Sequence, residues 1–179
     1  MSLACILGCA GPRLGDEEAR FFADADPWGF ILFKRNIESA EQVRALTGAL
    51  RTCVGRADAP ILVDQEGGRV QRFGPPNWPV MPTARRIGAL AERDLEAGRE
   101  TAWLSGRLIA ADLLDVGVTV DCAPVADLPT TDAHVVIGDR AYGEDPVLVA
   151  TLARAMAEGL IAGGVMPIVK HIPGHGRAT

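Results

Sequence analysis

The chain has 179 residues, 48% of them hydrophobic and 23% charged, which is the composition of a folded globular chain with one real core. Its 23 acidic and 18 basic residues give a net charge of −5, which excludes nucleic acid as a default partner because phosphate binding needs a net basic face. No apolar run approaches the length that crosses a bilayer, and "MSLACILGCAG" is too short and lacks a basic start for a signal segment, so no membrane partner and a cytoplasmic location are expected.

Five short apolar runs recur along the chain: "LACILG", "GFILF", "PILVD", "VTVDCAPV" and "MPIVK". Runs that are apolar at every position predict strands buried on both faces, as in a parallel sheet covered by helices. Segments with helical spacing lie between them. "SAEQVRALTGALR" opens with Ser39 as an N-cap, and Gln42 three residues on predicts a capping box. The next long helix carries Ala102, Gly106, Ile109 and Leu113 on one stripe, and Gly106 is expected to let it approach the sheet closely. The last helix starts at Asp145 as cap and Pro146 as first residue, buries Leu148, Leu152, Ala155, Met156 and Gly159, and stops at Gly163 and Gly164.

The resulting order is β-α-β-α-β, a long loop, α-β, a second long loop, α-β. That is an α/β chain of right-handed crossover units. A doubly wound sheet and a (β/α)8 TIM barrel both fit. The first turn, "GCAGPRLG", is not the phosphate loop a doubly wound fold usually carries, so the barrel is preferred. Five strands can be counted, whereas a barrel takes eight strands and roughly 250 residues. The chain is therefore expected to be an open five-stranded sheet or about the first five β/α units of a barrel.

The long loops follow strands, at the ends where α/β folds place their sites. Polar groups collect there: Lys34 after the second run, Asp64 and Glu66 after the third, Asp127 after the fourth, and Lys170 and His171 after the fifth. These six are expected to surround one mouth. A rim of mixed acids and bases suits a neutral, hydroxyl-rich ligand, because carboxylates accept from hydroxyl groups and cations donate to them. Gly67 and Gly68 allow a sharp turn beside the acids, although a charged turn without function fits the same residues. His171 and His175 are four apart, but Pro173 and Gly174 between them exclude a shared helical face, so no metal site is assigned. His134 carries no specific signal and reads as surface, and Arg85 and Arg86 read as solvated loop charges. The four cysteines, Cys5, Cys9, Cys53 and Cys122, form no C-x-x-C pair and read as buried free thiols.

Three ordered motifs, "LVDQEGGRVQRF", "IGDRAYGEDP" and "VKHIPGHG", resemble the bacterial β-N-acetylglucosaminidases of glycoside hydrolase family 3, and "GFILFKRNIES" fits the same pattern. Ile172 departs from the family's usual Phe but keeps an apolar group. The resemblance implies a (β/α)8 barrel and the removal of terminal N-acetylglucosamine from anhydro-muropeptides in peptidoglycan recycling, through a glycosyl-enzyme intermediate and without a cofactor. By motif position it implies substrate contacts from Asp64, Arg72, Arg140, Lys170 and His171, with the last two donating to sugar hydroxyls. The family's nucleophile is an aspartate on a later strand, and its acid/base is a histidine in an Asp-Ser-His motif after "VKHIPGHG". No Asp-Ser-His occurs in the 179 residues, so no catalytic residue is assigned. The chain is expected to be the N-terminal part of one barrel domain, inactive alone, with exposed strand edges that favour self-association. Two other readings stay open: a sugar-binding module without turnover, and a Schiff-base aldolase using Lys170.

Overall fold

The computed structural model describes residues 2–130 and 135–175. In chain order the elements are β1 (Leu3–Gly8), α1 (Asp16–Ala25), β2 (Pro27–Leu32), α2 (Ala40–Cys53), β3 (Ile61–Val63), β4 (Gln65–Gly67), β5 (Val70–Gln71), α3 (Ala84–Ala91), α4 (Leu95–Asp115), β6 (Val120–Asp121), α5 (Pro146–Ala162) and β7 (Met166–Pro167). His134 lies outside the described residues.

Five strands form one parallel sheet in the order β1-β2-β3-β6-β7. Each crossover adds the next parallel strand on the same side of the last. A doubly wound sheet reverses direction at a switch point, and this one does not. Constant direction with right-handed crossovers puts every helix on one face, which is the geometry of a barrel wall. The sheet stays open among the described residues, with β1 and β7 at its edges.

Burial follows that position. Every residue of β3 and β6 is buried, because a strand and helices flank them on all sides. The expectation of strands buried on both faces fails at the edges. Leu3 and Ile6 in β1, and Met166 and Val169 at β7, are exposed because no neighbour covers them. Covering such apolar side chains, as a central strand does, stabilises by about 25 cal/mol per Å² removed from water.

Local signals position the helices. Ser39 Oγ accepts from the Gln42 amide, as a cap should, but the Gln42 carboxamide oxygen accepts from the Glu38 amide instead of the Ser39 amide. The expected capping box is therefore shifted by one residue. Its side-chain nitrogen also donates to the carbonyls of Pro12 and Asn36, tying the loop after β1 to α2. Asp145 caps α5 with Pro146 behind it, and Gly164 leaves the helix at φ +88°.

Gly106 does not face the sheet. A Cβ there would lie 2.3 Å from the Met156 carbonyl oxygen, and a Cβ at Gly159 would lie 2.1 Å from the Trp103 carbonyl oxygen. The two glycines are where α4 and α5 cross backbone to backbone. Helical periodicity correctly put Gly106 on the buried stripe, but a stripe does not say what buries it. The surrounding core is continuous, running from Phe22 and Phe30 through Leu113 and Val118 to Leu152 and Leu160.

Candidate functional site

The loop after β3 is not irregular. Gln65–Gly67 and Val70–Gln71 pair as a small antiparallel hairpin around Gly67 (φ +98°) and Gly68 (φ +56°). Both glycines need the left-handed region, and a Cβ at Gly67 would also strike the Pro82 carbonyl oxygen at 2.4 Å. The hairpin lays Glu66 and Arg72 beside Asp64. β-β periodicity is too short in two- and three-residue strands to announce this element, so the sequence reading saw only a loop.

The register of the main sheet brings the other groups to the same place. Val63 pairs with Asp121 and Val125 bridges Lys170, so the residues that follow these strands emerge together. Lys170 Nζ lies 2.8 Å from Asp64 Oδ1 and 2.6 Å from Glu66 Oε1. Arg140 holds Glu66 through two parallel bonds of 2.8 Å, and Arg72 reaches Asp64 Oδ2 at 3.2 Å. Two carboxylates and three cations thus alternate around one mouth. Lys34 joins only at the rim, where its ammonium donates to the Arg72 carbonyl.

This arrangement sets the protonation states. Burial pushes the Asp64 carboxyl up, but the hydrogen bond and charge of Lys170, and then of Arg72, outweigh it and hold the pKa below its ordinary value. Burial pushes Lys170 down, yet its bonds to Asp64 and Glu66 leave its pKa raised. A Schiff-base lysine needs a neutral amine near pH 7. Lys170 is stabilised in the opposite state, so the aldolase reading fails on this geometry. Arg140 is likewise held charged, chiefly by its bond to Glu66.

A second cluster adjoins the first. The buried Asp127 carboxylate meets His171 Nδ1 at 2.5 Å with one oxygen and takes the His175 amide at 2.5 Å with the other. One side chain therefore fixes both the imidazole and the turn after it. With Nδ1 engaged by Asp127, Nε2 is the ring nitrogen left to meet a ligand. His175 Nδ1 is buried without a hydrogen-bond partner among the described residues, 5.7 Å ring to ring from His171.

Of the five anticipated residues, Asp64, Arg72, Arg140 and Lys170 meet with Glu66 in one ion-pair cluster, and His171 sits next to Lys170 in the chain and pairs with Asp127. Asp121, with no exposed surface, stands directly beneath this mouth and escaped sequence reasoning. Its one signal was a carboxylate inside an apolar strand, "VTVDC". Arg69 was also missed: it donates to the carbonyls of Val136 and Ile137 and pairs with Asp139, pinning the loop that carries Arg140. Arg85 is not simply solvated, since it bonds Glu92 and the Tyr142 carbonyl. All four cysteines are free, but only Cys9 is fully buried.

A half-open barrel wall whose strand ends carry a charge-alternating mouth is the frame of an α/β-barrel domain. The glycosyl hydrolase family 3 N terminal domain matches residues 7–179, and the chain belongs to that family. It is 42% identical over 173 residues to a beta-hexosaminidase of Xylella fastidiosa, covering 96% of this chain and 50% of that protein. A beta-hexosaminidase of Aromatoleum aromaticum is 42% identical over 174 residues, covering 97% and 48%. NagZ from Neisseria gonorrhoeae, solved with N-trifluoroacetyl-D-glucosamine, superposes with a TM-score of 0.89 at 34% identity, over 98% of this chain and 52% of that one. The chain spans about half the length of the curated relatives it matches.

Proposed function

We propose that this chain supplies the sugar-binding mouth of a β-N-acetylglucosaminidase, with Asp64, Arg72, Arg140, Lys170 and His171 contacting a terminal N-acetylglucosamine. The observation that carries the reading is the cation–carboxylate alternation around Lys170, which offers donors and acceptors at neighbouring positions. The family and the named relatives support the activity. The ligand of the Neisseria structure supports an N-acylated glucosamine as the sugar.

The finer reading is hydrolysis of anhydro-muropeptides during bacterial peptidoglycan recycling in the cytoplasm, with retention through a glycosyl-enzyme. Retention needs a nucleophile and a proton donor on either side of the bond. Asp64 is held ionised by two cations, which removes it as a proton donor, and no residue of this chain is assigned a catalytic role. The 179 residues alone are expected to bind the sugar and not to turn it over.

The test is titration calorimetry of the chain with N-acetylglucosamine. Saturable binding that Asp64→Asn weakens at least tenfold supports the reading. Absence of binding in a folded wild-type chain overturns it. Release of nitrophenol from a chromogenic N-acetylglucosaminide by the mass-verified chain would overturn the absence of a catalytic pair. Light scattering tests the expected self-association of the exposed β1 and β7 edges, and a monodisperse monomer at high concentration would refute it.

A further inference from the structure

Asp121 has no exposed surface and sits between β3 and β7, paired with Val63 on one side and Pro167 on the other. Its Oδ1 accepts the Gln65 amide at 2.9 Å. Its Oδ2 is buried and has no hydrogen-bond partner among the described residues. Gln65 is itself 1% exposed, and its side chain faces the other strand of the hairpin. There its Oε1 accepts the amides of Arg72 at 2.9 Å and Phe73 at 3.0 Å, while its Nε2 donates to the Phe73 carbonyl at 2.9 Å. Asp64 and Glu66 are the immediate chain neighbours of Gln65. One glutamine therefore stands between both mouth carboxylates and the backbone of Arg72, and one buried acid holds its amide.

We propose that Asp121 is the positioning residue of the mouth, acting through Gln65 to set the β4–β5 hairpin and with it Asp64, Glu66 and Arg72. This rests on the sugar-binding reading for its consequence but not for its geometry. Asp121 does not reach the mouth itself, so it positions and does not contact the ligand.

It performs this role as an uncharged acid. The groups around it are Asp64 and Glu66 from the β3–β4 side, Lys170 from the segment after β7, and Cys122, the residue that follows β6. Lys170 is already engaged by Asp64 and Glu66, and among the described residues no cation pairs with Asp121. A buried carboxylate with one hydrogen bond and two like charges nearby is far costlier than a buried carboxylic acid. Burial, with the nearby acids adding, holds its pKa well above the ordinary value. An asparagine has the same shape, one carbonyl acceptor and one donor group, so it reproduces the neutral acid.

The experiment pairs native-state hydrogen exchange with sugar titration of the 179-residue chain. In Asp121→Leu, exchange at the amides of Gln65, Arg72 and Phe73 is expected to accelerate at least tenfold while amides of α4 and α5 are unchanged. Affinity for N-acetylglucosamine falls at least tenfold in the same variant. Asp121→Asn restores both readouts to the wild-type values. Unchanged protection at Arg72 and Phe73 in Asp121→Leu overturns the coupling through Gln65. An Asp121→Asn variant as impaired as Asp121→Leu overturns the neutral acid. Asp121→Ser, short and polar, carries the same comparison where the leucine variant does not fold. A wild-type chain that binds no sugar refutes the functional reading alone, and the exchange data still decide the positioning role.

Discussion

Lys170→Met is the sharpest probe of the mouth as an electrostatic unit. Methionine keeps most of the stem volume and deletes the ammonium. The Lys170 side chain is 13% exposed, Asp64 20% and Glu66 7%, so solvent screens these pairs poorly. Removing one partner of a fully buried pair costs about 3–5 kcal/mol when it leaves an uncompensated charge. Here neither carboxylate is left bare, since Asp64 keeps Arg72 and Glu66 keeps Arg140. The expected loss is therefore nearer that of a hydrogen bond to a charged group, about 1.5–3 kcal/mol. The sign of its pH dependence follows from Asp64. A depressed carboxyl pKa contributes stability that is present above the unfolded value of 3.8 and is lost as pH falls through the folded one. Lys170 reports the same contact from the other side, contributing below 10.5 and losing that contribution as pH rises through its raised folded value. The two are one interaction and are not summed. Urea unfolding at pH 7 should show the loss, and a series from pH 5 to pH 2 should show a shallower acid limb in the variant. A loss below about 0.5 kcal/mol, the range of exposed pairs, with an unchanged acid limb, would refute the network as a buried unit.

The α4–α5 crossing gives a paired test. Gly159→Ala puts a methyl group 2.1 Å from the Trp103 carbonyl and should cost about 1–3 kcal/mol by overpacking. Gly48→Ala in α2 meets nothing within 4 Å and should stabilise by about 1 kcal/mol, both read from thermal unfolding. Asp121→Asn should stabilise the chain at neutral pH. The raised Asp121 pKa means that the unfolded state ionises above 3.8 while the folded acid stays protonated, so wild-type stability declines as pH rises from that point and the asparagine variant lacks the decline. Burial, with Asp64 adding, pushes the Cys122 thiol up to about 11. Its alkylation by iodoacetamide, followed by mass spectrometry, should stay slow at pH 8 and accelerate only in strong alkali; fast modification at pH 8 would contradict the raised pKa of this half-buried thiol.

The five sheet strands and the helices α1, α2, α4 and α5 were legible in the sequence because their signals are local, whereas α3, which carries Arg85 and Arg86, and the β4–β5 hairpin read as loop. Five apolar runs, the Ser39 and Asp145 caps and the Gly164 stop are each readable within one or two turns of chain. So was the gathering of polar groups at one end of the sheet, since Asp64, Lys170 and His171 close or follow strand-like runs and parallel strands share an end. What lay beyond reach was which groups face each other. Gly106 could be placed on a buried stripe, but its partner, Gly159, is 53 positions on in the chain. The shift of the Gln42 bond from Ser39 to Glu38, the contact of Asp127 with His171, and the raised pKa of Lys170 all depend on atoms brought together by folding. Asp121 shows the boundary most clearly. As a letter it is one acid in an apolar strand, and only the sheet register sets it against the Gln65 amide, where burial raises its pKa. Charge state and hydrogen-bond direction are set by surroundings, and in a parallel sheet those surroundings come from residues 50 or more apart, such as Gln65 and Asp121 or Asp64 and Lys170.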